Sequence, residues 1–199
     1  MEKEFPFDHE LKKEILSFPI GEPPKEADLL EIGPGRGDFL LSAAQAEPAK
    51  LFVAVENKKR RFFKIADRLK KGAVANATLL LGDARIVLPL FFSEGSFQNI
   101  TCLFPDPWPK DRHSFHRLLN LRFLWLIAFL LKKRGSFIFA TDDKDYADSV
   151  ADDASRISWW RRQEISDDKI RALFPETFFE QKWRSLGRKI FLFEFKKIS

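Results

Sequence analysis

The chain has one cysteine among 199 residues, and that scarcity removes two kinds of architecture. Cys102 has no second thiol for an internal disulfide, and no cysteine-based zinc site can form around it. Set inside an apolar run, it reads as core. Histidine is nearly as scarce. His113 and His116 stand three apart, a spacing that suits metal ligation, but no third ligand accompanies them, so phosphate or base contact is expected and no metal. Long hydrophobic runs are missing as well. Leu118 to Leu131 is nearly all apolar, yet it is about 14 residues long and broken by Asn120 and Arg122, whereas a membrane span needs roughly 20. It predicts a buried helix. The first twenty residues mix acids, lysines and phenylalanines without a charged segment leading into an apolar one, so no secretory signal and no membrane partner are expected and the cytoplasm is the default. There is no internal repeat, low-complexity tract or domain boundary. Residues 1–26 form an N-terminal segment, with a short amphipathic piece from Asp8 to Phe18 and a loop carrying Pro19, Gly21, Pro23 and Pro24. Residues 27–199 read as one domain.

At 45% hydrophobic content such a chain can bury roughly 70% of the surface its unfolded form exposes. Lys+Arg 34 against Asp+Glu 29 gives a net charge of +5, which leans toward a polyanionic partner. From Ala27 onward, apolar runs of about six residues alternate with helical stretches, the pattern of βαβ units around a parallel sheet. The predicted strands are Asp28 to Ile32, Leu51 to Glu56, Thr78 to Leu81, Ile100 to Phe104 and Ser136 to Thr141. A helix from Lys144 to Ile157 and a strand from Trp159 to Ile165 follow. The tail Arg188 to Lys196 is too apolar on both faces for an edge strand and is expected inside the sheet. The fold class is therefore α/β, a doubly wound Rossmann-like sheet, mostly parallel. Between the second and third strands, Phe62, Ile65, Ala66 and Leu69 share one helical face while Arg61, Lys64, Arg68 and Lys71 form an outward stripe, and Gly72 ends the helix. A stripe of that kind is read first as solvated surface.

Three alternate glycines, Gly33, Gly35 and Gly37, stand where the first strand turns into the first helix. Glycine suits a backbone that must take unusual φ and let a ligand come close. Glu56 ends the second strand 19 residues after Gly37, the spacing at which an acid reaches ribose hydroxyls. Asp83 ends the third and suits an adenine amino group. A pyrophosphate cofactor would want glycine where Asp38 stands and is disfavoured by Glu31. The acids suit the sulfonium and amino groups of S-adenosylmethionine instead. After the fourth strand, Pro105 to Arg117 forms a turn stiffened by Pro105, Pro107 and Pro109, each of which fixes φ. Ligands of open α/β sheets bind at such strand ends.

The segments EIGPGRGDFL, AVENKKRRFFKIA, GDA, FPDPWPKDRH, ATDDKDYA and TFFEQKWRSLGRKIFLFEF, from about Leu29 to Phe195, resemble in order the motifs of the bacterial tRNA (guanine-N7)-methyltransferase family. The resemblance implies a class I methyltransferase sheet with an antiparallel C-terminal strand, S-adenosylmethionine as methyl donor, a variable-loop guanosine of tRNA as acceptor, and a monomer or homodimer. By motif, Glu31, Glu56, Asp83 and Asp106 form the cofactor site with Gly33, Gly35, Gly37, Asn57 and Ala84, and Asp106 stands at the chemistry. Lys110, Asp142 and the tetrad Thr177 to Glu180, chiefly Thr177 and Glu180, match substrate-contacting positions. Arg112, His113 and Arg117 match the RNA-facing segment. The chain departs from the family pattern at Asn57, Gln98, Phe115, His116 and Phe178, changes that remove up to three cations from the RNA face.

Guanine N7 carries a free lone pair, so attack on a sulfonium methyl needs alignment rather than a general base, an effect worth on the order of 7–11 kcal/mol. Because N7 must react, the base has to be held by its donor edge, which calls for acceptors such as Asp142, Thr177 and Glu180. Trp108 is a candidate stacking ring, or packs on the turn prolines. Trp159, Trp160 and Trp183 are expected as core or sheet cover, and Asp142 and Asp143 stand where helix caps are also expected. Three rival readings use the same fold: a methyltransferase for another RNA or a small molecule, a non-catalytic RNA-binding module, and, disfavoured by Asp38, a nicotinamide oxidoreductase.

Overall fold

A computed structural model describes residues 15–108, 116–163 and 178–198, apart from the side chains of 178–180 and 182. Among these residues eight strands form one sheet: β1 (Ser17–Phe18), β2 (Ala27–Ile32), β3 (Phe52–Glu56), β4 (Ala77–Leu81), β5 (Phe97–Leu103), β6 (Leu131–Thr141), β7 (Trp160–Gln163) and β8 (Phe191–Lys197). Among the described residues six helices accompany them: α1 (Asp38–Ala46), α2 (Lys59–Lys71), α3 (Ala84–Phe91), α4 (Leu121–Leu130), α5 (Lys144–Ser155) and α6 (Phe178–Ser185). The strand order is β1-β4-β3-β2-β5-β6-β8-β7. β2 through β6 pair in parallel. β8 is antiparallel to both β6 and β7. The expected doubly wound sheet is therefore present, with its tail buried between two strands.

The apolar character of the strands follows from coverage on both faces. α3, α4 and α5 close one face over a core that includes Leu30, Val53, Ile100, Phe137 and Phe139. α1 and α2 close the other over Leu29, Ala54, Leu79 and Ile138. The inward face of α2 is Phe62, Ile65, Ala66 and Leu69, as the periodicity predicts. Beneath α5, rings form a layer across β6, β8 and β7. Phe137 stacks on Phe195 at 6.1 Å and Trp160 on Phe195 at 5.3 Å, while Phe139 stacks on Phe193 at 5.9 Å. Trp160 is thus core, as expected.

Three differences from the sequence reading have local causes. β1, two residues paired antiparallel to β4, adds an edge no periodicity announced, because two residues carry no period. β6 begins at Leu131, directly after α4, instead of at Ser136. Lys132, Lys133 and Arg134 look like a loop, but the chain turns at Arg134, where φ is +64°, and the pairing with β5 shifts register between Phe97 and Asn99. Asn120, read as an interruption of the apolar run, caps α4 by accepting from Phe123 N at 3.2 Å. The piece from Asp8 lies mostly outside the described residues. Among the described residues no helix is long and apolar enough to cross a membrane.

Candidate active site

The strand order reverses beside β2, which has β3 on one side and β5 on the other, and a cleft of about 680 Å³ opens there along the carboxyl ends of β2 to β6. Its floor is the glycine loop. Gly33 has φ +73°, and a side chain built on it would meet nothing within 4 Å, so open space lies over the backbone. Gly37 differs: φ is +75° and an added Cβ would stand 2.9 Å from Ile65 Cγ2. It is set back from the cleft between lining residues Arg36 and Asp38. Its bareness lets α1 start against α2, and Arg68 then reaches back to Asp38 at 2.7 Å and to the Arg36 carbonyl at 2.5 Å. Arg68, expected on the solvated stripe, is thereby drawn into the loop's support.

Two buried acids face this floor. Glu31 and Glu56 are 4% and 2% exposed. Glu56 Oε1 accepts from Lys58 N at 2.9 Å. The second oxygens, Glu31 Oε2 and Glu56 Oε2, are buried without a hydrogen-bond partner among the described residues. Unpaired buried acceptors are costly. Burial, reinforced by Asp38 and Glu56, pushes the Glu31 carboxyl up to about 8. Asn57 and Ala84 also line the cleft. Asp83 does too, but in a different state from the one expected: it caps α3 through Arg85 N at 2.9 Å and holds the Arg85 guanidinium at 2.5 Å, bonds that keep its carboxyl below the usual range. Cys102 borders the cleft from the core side, with burial raising its thiol to about 12, so it remains a neutral thiol.

The proline turn closes one wall. Phe104 and Trp108, at its two ends, have φ +52° and +45°. Bulky residues rarely adopt that region, and each instance costs on the order of 1–3 kcal/mol. The turn is held by Phe104 N, which donates to Ala140 O at 2.8 Å, and by Arg117 Nε, which donates to Pro107 O at 2.8 Å. Arg117 was expected to face RNA. Its side chain is only 13% exposed, with the guanidinium 3.7 Å from Asp143 and 4.9 Å above the Tyr146 ring. Asp106, 72% exposed, projects into the cleft mouth with Lys58 Nζ 4.0 Å away. Trp108 lies 5.0 Å from the His116 ring, and both line the cleft.

Of the opposite wall the sequence offered only Asp142. Asp143, and not Asp142, caps α5, accepting from Tyr146 N at 2.7 Å. Asp142 instead accepts from Arg188 at 2.5 Å, its side chain 12% exposed. Arg188 also lies 4.2 Å over the Trp183 ring. Trp183 and Arg188 both line the cleft, so Trp183 is a wall residue and not core. The cause is the end of α6: Gly187, at φ +67°, stops the helix while its N–H reaches Arg184 O and Arg188 N–H reaches Trp183 O, both at 3.0 Å. This reversal returns Arg188 over the helix's last turn. The glycine before Arg188 was the available signal. Lys110, Arg112, His113, Phe115 and Thr177 lie outside the described residues, as does the side chain of Glu180.

Solved structures share this architecture. The 16S rRNA methyltransferase KamB aligns with a TM-score of 0.63 at 18% identity over 88% of this chain and 90% of its own. An rRNA methylase from Streptococcus thermophilus aligns with 0.57 at 13% identity over 89% and 90%. These likenesses show a class I methyltransferase fold. Residues 25–193 match the family described as "Putative methyltransferase". A tRNA (guanine-N(7)-)-methyltransferase of Thermotoga maritima is 34% identical over 85% of this chain, which spans 54% of that relative's length. The like-named proteins of Chlamydia abortus and Leptospira interrogans are each 32% identical, over 84% and 91% of this chain and 75% and 82% of theirs. The chain belongs to the tRNA (guanine-N7)-methyltransferase family.

Proposed function

We propose that this chain methylates N7 of a variable-loop guanosine in tRNA, with S-adenosylmethionine as methyl donor, in the cytoplasm and without a metal. The observation that carries the donor assignment is the pair of partnerless buried oxygens, Glu31 Oε2 and Glu56 Oε2, bordering one cleft with the open backbone of Gly33. Acceptors in that state suit a ligand rich in hydroxyl and ammonium donors and repel a pyrophosphate. Glu56 would receive the ribose hydroxyls and Glu31 the amino-acid end, flanked by Gly33, Gly35, Asn57 and Ala84. Asp83 would add an adenine contact while keeping its bonds to Arg85. Bound S-adenosylmethionine supplies an electrophilic methyl group carried on a sulfonium.

The remaining work falls to the cleft mouth. Asp106, on its braced turn, stabilises the positive charge that grows on the imidazole ring of guanine as N7 takes the methyl. No proton is removed, and the positive charge moves from sulfur to the base. Asp142 accepts from the N1–H and N2–H edge, leaving N7 open. Arg188 steadies that carboxylate and, with Trp183, offers a flat wall beside the base. Lys110, Arg112, His113, Thr177 and Glu180 are assigned to the same RNA by motif. Incubation of the protein with methyl-labelled S-adenosylmethionine and unmodified tRNA tests the reading, with nucleoside analysis of the product. Labelled 7-methylguanosine is expected. Label on another nucleoside, or transfer to a small molecule that tRNA does not inhibit, would overturn it.

A further inference from the structure

α2 carries far more positive charge than its packing uses. Between Lys59 and Lys71 it has seven cations and one acid, Asp67. Lys71 pairs with Asp67 at 2.7 Å and Arg68 with Asp38 at 2.7 Å. Lys59, Arg60, Arg61 and Lys64 are exposed and have no carboxylate partner among the described residues. Their position is unfavourable for the helix itself. The first turn holds no acid and Lys58 provides no side-chain cap, so the cations crowd the positive end of the helix dipole. Helix stability therefore does not account for them.

Lys59, Arg60, Phe63 and Lys64 fall at i, i+1, i+4 and i+5 and share one face. Phe63 is 51% exposed in its midst, its ring edge-on to buried Phe62 at 5.3 Å. Cations around an accessible ring form the combination that binds unpaired nucleotides, with phosphates on the charges and a base on the ring. The face is continuous with the reaction site, because Lys58 and Arg61 line the cleft at its edge. A partner lying on it and entering the cleft must be anionic and extended, which describes a nucleic acid strand.

Resting on the reading that the acceptor is RNA, we propose that Lys59, Arg60, Phe63 and Lys64 form a second docking surface for that RNA, outside the cleft. Phosphates lie on the three cations and an unpaired base stacks on Phe63. The surface supplies charge that Phe115 and His116 do not.

Binding of unmodified tRNA across a salt series tests this with the full-length chain. R60Q/K64Q should shrink the slope of log K against log salt by about 1.4 to 1.8 units, two lost contacts at roughly 0.7 to 0.9 each. F63A should weaken binding about 5- to 150-fold. K132Q/K133Q removes equal charge at the far end of β6 and should leave the slope unchanged. Since the altered cations oppose the helix dipole, R60Q/K64Q should melt no lower than the parent protein, and cofactor affinity measured without RNA should hold. An unchanged salt slope in R60Q/K64Q overturns the inference, as does a variant that loses only binding to phosphatidylglycerol vesicles. If the parent protein methylates tRNA while R60Q/K64Q keeps the slope, this inference alone fails. If the parent binds tRNA through this face yet forms no 7-methylguanosine, the proposed function alone fails.

Discussion

The two walls of the cleft are built by opposite means. On the proposed cofactor side two acids, Glu31 and Glu56, are buried, and the lining residues are borne on short stretches of chain: Glu31 to Asp38, Glu56 to Lys58, Gly82 to Arg85. Glu31 and Glu56 each keep one oxygen without a hydrogen-bond partner among the described residues. On the proposed acceptor side the groups are already paired: exposed Asp106 beside Lys58, Trp108 against His116, and Asp142 with Arg188 on Trp183. A small cofactor can be enclosed and its recognition energy taken from desolvated acceptors. A large RNA cannot be enclosed, so its wall is kept ordered by internal pairs that a base can join or displace. The contrast is one between a site prepared by leaving bonds unmade and a site prepared by making provisional ones.

Substitution at Asp106 should have the largest effect. Asp106→Ala should lower single-turnover methyl transfer by roughly 100- to 1,000-fold, the scale of losing one preorganised electrostatic group. An effect below tenfold would remove Asp106 from the chemistry and make the turn a scaffold.

The pH response of the cofactor wall comes next. Glu31, held near 8 against an ordinary 4.5, is protonated at neutral pH without ligand. A cationic ligand favours its ionised form, so cofactor affinity should climb with pH by close to tenfold per unit at most and level off above about 8. Calorimetry in buffers of different ionisation heat should record the released proton, and Glu31→Gln should flatten the profile. The same shift acts on stability. The unfolded chain releases this proton near 4.5 and the fold only near 8, so Glu31's contribution to unliganded stability is complete at low pH and is lost as pH rises through that window. Thermal melts across the window should show the decline, and a melt midpoint insensitive to Glu31→Gln at every pH would contradict it.

Gly37→Ala should destabilise the cofactor side without touching the acceptor side. At φ +75° and 2.9 Å from Ile65, the new methyl should cost on the order of 1–3 kcal/mol. That lowers the melting midpoint by roughly 2–4 °C per kcal/mol in a chain of this size. The smallest effect belongs to Arg188→Ala. Freed from its ion pair, Asp142 keeps its carboxylate, so KM for tRNA should rise only about two- to tenfold, in line with a hydrogen-bonded charge pair at an exposed rim. A fall in kcat with KM unchanged would mean that the pair orders the reacting geometry.

The two walls also differ in how readable they were. Glu31, Gly33, Glu56, Asp83 and Asp106 could be read in the chain because each stands at or within three residues of a strand's carboxyl end, and such ends in a doubly wound sheet converge on one edge. The inward face of α2 was readable because burial there follows the helical period. Arg117 was assigned to the RNA-facing segment by motif, and its contacts within the chain were not legible there. Only the fold brings the Pro107 carbonyl, Asp143 and the Tyr146 ring to it. Trp183 and Arg188 were missed for a similar reason, since Arg188 meets Asp142 across 46 residues of chain.

The sequence by itself determined the alternation of strand and helix, the glycine turn, the stiffness of Pro105 to Pro107 and the acids at the ends of β2, β3 and β4. Each of these depends on interactions within a few residues, where periodicity and backbone preference decide. The tertiary structure decided which charges are engaged: Arg117 turned onto the proline turn, Asp83 already bound to Arg85, Arg188 folded back onto Asp142, and Lys59, Arg60 and Lys64 left without a carboxylate partner among the described residues. Ionic partners are chosen by distance in space, and those distances exist only once β8 has entered the sheet beside β6 and the helices have closed over both faces.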